Sequence, residues 1–364
     1  MTISRRNALL ALSVSPLAAS LTLSAQAQET AGVPLAATGA AEDGLPTQVW
    51  AAEQRLKWPG FAVERVTFES QGVQVVGNLF VPEGKSSLPA VVVLGPVGFV
   101  KEQSPLQYAS RLVREGYVTL IFDPRFHGES GGEPRRFESG AEKTRDLSAA
   151  IDFLAARPEV NAQRISLLGI CQGVNWVVDA ALADQRVKSI ALVAGHYLTP
   201  ELAEMYLGGP ANVEARMAKS KAAEIRFRET GSADYIHIVS PSLDQPDPDA
   251  LLRAPHIQMF YIRWADRNPD LAHRGLWENR LTAMSEHLIW GHRVDLALPG
   301  VQTPTLMIHA QNAASGPELP QRLFDTIPAA RKKFVSLGEQ SQLQFYEDPI
   351  TIDQAIPHIA EFFA

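Results

Sequence analysis

From about residue 62 the apolar positions fall into two patterns. Val63 to Glu69 and Val73 to Val81 read as strands, with Gln71-Gly72 between them as a hairpin turn. Downstream, Ala90 to Leu94, Tyr117 to Asp123, Arg164 to Ile170, Ser189 to Gly195, Thr305 to His309 and Phe334 to Leu337 are apolar runs of buried-strand length. Amphipathic stretches stand between them, at Leu106 to Glu115, Lys143 to Ala156, Val174 to Leu182 and Glu318 to Ile327. This alternation predicts an α/β fold: a mostly parallel central sheet with helices on both faces. One segment breaks the rhythm. About a hundred residues of mainly helical character, roughly 200–298, separate the strand ending at Gly195 from the next, and they predict an inserted lid over the sheet's C-terminal edge. Its aromatics, Trp264, Trp277, Trp290, Tyr206, Phe227, Tyr235, Phe260 and Tyr261, are expected to form the lid's own core more than a substrate wall.

The first residues read as an address. Arg5-Arg6 precede an Ala/Leu-rich stretch, and Ala25-Gln26-Ala27 supplies a small-x-small cleavage pattern. The arginine pair predicts twin-arginine export of residues 1–27 and a periplasmic mature chain, although Ala8 stands where that signal usually has a bulky apolar residue. A retained N-terminal anchor is the alternative; no later run reaches the ~18 apolar residues of a membrane span, so no membrane contact is expected after signal removal. Residues 28–48 are small, polar and proline-containing, a flexible leader before a domain over 49–364. Charge adds an exclusion: 33 basic against 40 acidic residues give −7, with no basic cluster beyond the N-terminus, so nucleic acid is not expected as a partner.

The single cysteine, Cys171, cannot form an intramolecular disulfide, and its neighbours give it a reason to exist. Gly169-Ile170-Cys171-Gln172-Gly173 follows a strand and precedes a helical stretch, the context that gives a G-x-[SC]-x-G match its meaning. Such a turn presents the sulfur at a helix N-terminus, where dipole and free N–H groups favour the thiolate. The expected thiol pKa is therefore below the ~8.5 of free cysteine, with burial under a lid acting against it. No spaced His/Cys/Asp/Glu cluster suggests a metal, and no glycine-rich phosphate loop suggests a cofactor.

Phe122-Asp123-Pro124-Arg125-Phe126-His127-Gly128-Glu129-Ser130-Gly131-Gly132, Asp146 and Arg164 to Gly173 resemble the dienelactone-hydrolase-like branch of the α/β-hydrolases, which includes fungal polyketide acyltransferases. Val97 to Gln103, Trp277-Glu278-Asn279 and Met284-Ser285 extend the resemblance over residues 60–364. It implies an α/β-hydrolase fold with a cysteine nucleophile and an oxyanion hole. One donor would be the N–H of Gln172; the other would come from Gly95-Pro96-Val97-Gly98, where Pro96 has no N–H and Val97 is the better candidate. The resemblance also implies an acid after Thr305 to His309 and a histidine after Phe334 to Leu337. Gln311 and Gln342 occupy those two places, and glutamine cannot take a proton as a base would. His196 and His309, at strand ends, are alternative bases; His127 shares their rim, while Glu102 and Arg125 are expected near the pocket mouth in solvated pairs. Three functions stay open: acyl cleavage or transfer on a small apolar molecule through Cys171, a non-hydrolytic lyase or isomerase in the same pocket, and a non-catalytic periplasmic binder.

Overall fold

The computed structural model describes residues 55–262 and 276–364; the export signal (1–27), the leader (28–48) and Trp264 lie outside them. Among the described residues the chain builds a nine-stranded sheet in the order β1-β2-β3-β5-β4-β6-β7-β10-β11. Its antiparallel side consists of β1 (Arg55–Trp58), β2 (Phe61–Ser70) and β3 (Val73–Pro82), the last pairing antiparallel with β5 (Val118–Phe122). From β5 onward every pairing is parallel, through β4 (Leu88–Leu94), β6 (Val160–Ile170), β7 (Val187–Val193), β10 (Thr305–His309) and β11 (Lys332–Ser336). The parallel strands are continuous apolar runs because helices cover both faces. One layer packs α1 (Ser104–Leu112) against the C-terminal helix Pro349–Phe363, and the other packs α2 (Gly140–Ala155) against α3 (Gly173–Ala183).

The predicted strands are present within a few residues, and Thr305–His309 matches in full. β6 begins earlier than its apolar run, at Val160, because Val160 pairs with Leu88 ahead of a bulge formed by the less buried Asn161 to Arg164. α2 begins at Gly140, three residues before the predicted start, since Ser139 caps it by accepting from the Glu142 N–H. Between β7 and β10 the described chain is mainly helical, with α4 (Pro200–Leu207), α5 (Pro210–Thr230) and α6 (Pro255–Ile262), and a two-residue pairing of β8 (Tyr235–Ile236) with β9 (Leu281–Thr282). Tyr261, Trp277 and Trp290 from this insertion join the same hydrophobic core as the sheet. Among the described residues no helix is long and apolar enough to cross a membrane.

Candidate active site

The C-terminal ends of β4, β6, β7 and β10 converge, and Cys171 stands in the turn from β6 to α3. Its φ is +55°, a left-handed conformation held by three backbone bonds: its N–H donates to Val193 O at 3.1 Å, and its carbonyl accepts from His196 N–H at 3.1 Å and from Val174 N–H at 3.3 Å. The flanking glycines are required by close approach. A Cβ on Gly169 would lie 2.7 Å from Val174 Cα, and one on Gly173 would lie 2.6 Å from Leu94 O. The elbow therefore presses on the end of β4 and brings the loop Gly95-Pro96-Val97-Gly98 beside Cys171.

After Gly95, one residue of that loop keeps an amide without an acceptor. Pro96 has no N–H, Phe99 N–H donates to Pro96 O at 3.3 Å, and Gly98 N–H donates to Glu138 Oε2 at 3.0 Å. Val97 N–H has no acceptor among the described residues, and Gln172 N–H faces the sulfur. Val97 and Gln172 are the two positions that the sequence nominates as oxyanion donors.

The sulfur is surrounded by donors. The Tyr346 hydroxyl and the Gln342 side chain both reach it, and Gln342 Nε2 also donates to Ala194 O at 2.8 Å and to Tyr346 Oη at 3.2 Å. Gln342 Oε1 accepts from Ala314 N–H at 2.8 Å, so the residue at the expected histidine position is fixed at both ends and cannot serve as a base. Tyr261 and Tyr346 bond to each other and pack on Phe99, with ring centroids 5.4 and 5.3 Å from it. Tyr261 comes from the insertion and Tyr346 from the segment after β11, and both stand beside the sulfur. Tyr346 is a site residue that the sequence reading does not name; its signal is the spacing of four from Gln342, which puts both side chains on one face of a short helical turn.

The sign of the thiol's shift is opposite to expectation. Burial, at 5% exposure, pushes the Cys171 thiol up to about 11, and the donors Tyr346, Gln172 and Gln342 and the charge of Lys143 only moderate this. Desolvation outweighs the helix terminus because the sulfur is closed off from water, a quantity that spacing in a sequence does not carry. Alkylation by iodoacetamide against pH should accordingly show an inflection well above that of free cysteine, near 11. Tyr346→Phe should move it higher still by removing a donor to the thiolate; an inflection below ~8.5 in the intact protein would contradict this account.

The other candidates disperse. Gln311 has an exposed side chain and contributes its backbone N–H to Gly338 O at 2.7 Å, so nothing joins it to Gln342. His196 is buried against Tyr206 and Trp290, and His309 lies 6.2 Å from the Tyr197 ring; burial lowers both to about 4. Neither is among the groups acting most strongly on the sulfur. Glu102 and Arg125 are not solvated at a pocket mouth. Glu102 is buried 2.9 Å from Lys101, and Arg125 is buried 2.5 Å from both Asp146 and Glu142. A cavity of about 300 Å³ opens beside Gln342, Tyr206 and Ala314, with Leu252, Ile257 and Met205 supplying an apolar wall and Arg253 and His256 a polar one.

The geometry has known counterparts. The crystal structure of a hypothetical protein, PA2218 of Pseudomonas aeruginosa, superposes with a TM-score of 0.68 at 26% identity, covering 87% of this chain and 95% of that one. In sequence the two are 41% identical over 145 residues, 39% of each chain, so the direct alignment spans about two fifths of this relative's length. The polyketide transferase claH of Penicillium crustosum is 24% identical over 76% of this chain and 89% of its own. The thiohydrolase aneE of Aspergillus aculeatus is 27% identical over 52% of this chain and 58% of its own. The model of the serine aminopeptidase S33 family (Hydrolase_4) matches residues 103–340, although the elbow here carries Cys171 where that description names serine. Sheet order, elbow and family match agree: the chain is an α/β-hydrolase and belongs to the serine aminopeptidase S33 family.

Proposed function

We propose that this protein cleaves or transfers an acyl group carried as a thioester or ester on a small, apolar molecule, with Cys171 as the nucleophile in a cysteine elbow of the dienelactone-hydrolase-like kind. The observation that carries the reading is the left-handed Cys171 at a strand-to-helix turn, with Gln172 N–H directed at its sulfur and Val97 N–H left without an acceptor in the neighbouring loop. The relatives named as a polyketide transferase and a thiohydrolase point to the same chemistry. Among acyl donors the site favours a thioester. With Gln342 in place of a base, nothing beside the sulfur takes its proton. Thiol–thioester exchange consumes no proton overall: the small thiolate fraction of Cys171 attacks the carbonyl carbon, the carbon–sulfur bond to the leaving thiolate breaks, and that thiolate takes up the proton that Cys171 released. An ester would expel a far more basic alkoxide, which calls for a general acid.

The second reading keeps the pocket without hydrolysis, and the absent base favours it, because activating a water to release the acyl group is the step that most needs one. Mass spectrometry of protein incubated with a butyryl N-acetylcysteamine thioester separates the two. Steady release of butyrate supports hydrolysis, and a stalled adduct of one butyryl group on Cys171 supports transfer. Neither adduct nor product would remove the acyl reading and leave a binding pocket. The same proposal includes the insertion as a lid over Cys171, and export of the chain to the periplasm by the twin-arginine route. N-terminal sequencing of the mature protein should then begin near Gln28; an intact Met1 would refute export with cleavage.

A further inference from the structure

We propose that Glu138 is a positioning residue: it sets the oxyanion loop through the Gly98 amide, while Lys143 cancels its charge beside the place where an anion would form. This rests on the acyl reading above, since it concerns the same oxyanion hole.

Glu138 has no solvent exposure and ends the loop that leads into α2. Its Oε2 accepts from Gly98 N–H at 3.0 Å. Lys143 Nζ pairs with Oε1, and His127 Nε2 lies 3.3 Å from Oε2. Together these partners hold the carboxyl down at about 2 although burial alone would raise it, so it is an anion throughout the ordinary pH range. The consequence for the loop is geometric. With Gly98 N–H bound to Glu138 and Phe99 N–H bound to Pro96, both later amides of the turn are fixed, and Val97 N–H is the one left free to point at a substrate oxygen.

The cluster is also placed where a purely structural ion pair would be ill chosen. A bare carboxylate one residue from an oxyanion donor would repel the negative charge it is meant to help, and a lysine in the first turn of a helix is opposed by the helix dipole. Both costs make sense if the carboxylate is there to hold Gly98 and the lysine is there to neutralise it; Lys143 is indeed near enough for its charge to act on Cys171. The arrangement reaches into the insertion. Glu138 N–H donates to Ser285 Oγ at 2.8 Å, Ser285 contacts Thr282 Oγ1 at 2.7 Å, and the Ile238 side chain lies over Gly98. The segment above the pocket therefore braces the residue that braces the oxyanion loop.

Two variants separate reach from charge. Glu138→Asp keeps the charge but withdraws the carboxylate from Gly98; Glu138→Gln loses the charge but keeps an oxygen that can accept the Gly98 N–H. With the butyryl N-acetylcysteamine thioester as probe and the full chain as enzyme, Glu138→Asp should lose about 100-fold in kcat with KM nearly unchanged, the scale of a misplaced catalytic group. Glu138→Gln should keep most of the rate. Hydrogen exchange of the peptide containing Gly98 should be faster in Glu138→Asp and close to that of the unaltered protein in Glu138→Gln. A glutamine variant that folds but is as slow as the aspartate one, an aspartate variant with unchanged kcat, or unchanged exchange at Gly98 would each overturn the assignment. Should the glutamine variant not fold, the aspartate rate and exchange decide. If the unaltered protein does not process the thioester at all, the acyl reading falls, and the exchange measurement alone then decides whether Glu138 sets the loop.

Discussion

Cys171→Ser is expected to abolish thioester turnover as completely as Cys171→Ala, with at least about a 10³-fold loss in kcat for each. The family's description names serine, so on family resemblance alone the serine variant might be expected to work. The geometry argues otherwise. A serine hydroxyl is a nucleophile only when a neighbouring base removes its proton, and Gln342 is tied to Ala194 O and Ala314 N–H with nothing basic to offer. A thiol, even one pushed up to about 11, ionises far more readily than a serine hydroxyl, its thiolate is the stronger nucleophile, and the proton it loses is taken up by the departing thiolate. Steady-state kinetics with the butyryl thioester, beside circular dichroism to confirm folding, tests this. Retention of more than a tenth of the rate by Cys171→Ser would mean that a base lies within reach and would return His196 and His309 to consideration.

The largest expected loss of stability comes from a site with no part in this chemistry. Lys101 is fully buried, with its Nζ 2.7 Å from Asp123 Oδ2, 2.6 Å from Glu129 Oε2 and 2.9 Å from Glu102 Oε1. Burial alone would lower its pKa, but the three carboxylates together raise it, so the ammonium stays charged. Lys101→Met would fill much the same volume while leaving three carboxylates crowded together, with Arg65 3.2 Å from Glu129 as a remaining cation. Removing one partner from a buried ion cluster typically costs about 3–5 kcal/mol, because the charges left behind are neither hydrated nor neutralised. Urea denaturation should show a fall in unfolding free energy of that size, read from the midpoint and the slope together. A change under about 1 kcal/mol would mean that the carboxylates take up protons or water easily, and that the cluster is softer than its geometry implies.

Much of the fold was legible because its signals are periodic. Thr305–His309 reads as a buried strand from its own five residues, and the spacing of Gly169, Cys171 and Gly173 already contains the steric reason for both glycines, since either Cβ would collide with backbone. The site beyond the elbow was less legible. Val97 could be chosen over Pro96 from covalent chemistry alone, but the reason Gly98 is not the donor lies forty residues away, in Glu138. No motif links those two positions. Gln342 lies beside the sulfur, whereas Gln311, assigned from its place after Thr305–His309, is turned outward to solvent. The thiol's sign differs from expectation for a related reason: dipole and donors are properties of a local turn, whereas desolvation depends on residues distant in sequence that pack near the sulfur. Tyr261, ninety residues after Cys171, is one of them.

The closure over Cys171 bears on how the sulfur ages. Peroxide attacks thiolates and needs a path to them, so a sulfur that is protonated and nearly dry climbs the ladder from sulfenic to sulfonic acid slowly. With no second cysteine in the chain, an early oxidation product could not be rescued by an intramolecular disulfide, and the first irreversible step would end the molecule's working life. Shielding is the one protection the chain itself supplies. A nucleophile that stays quiet until a substrate enters is also one that survives between substrates, and the same desolvation that slows its ionisation preserves it in the reduced state.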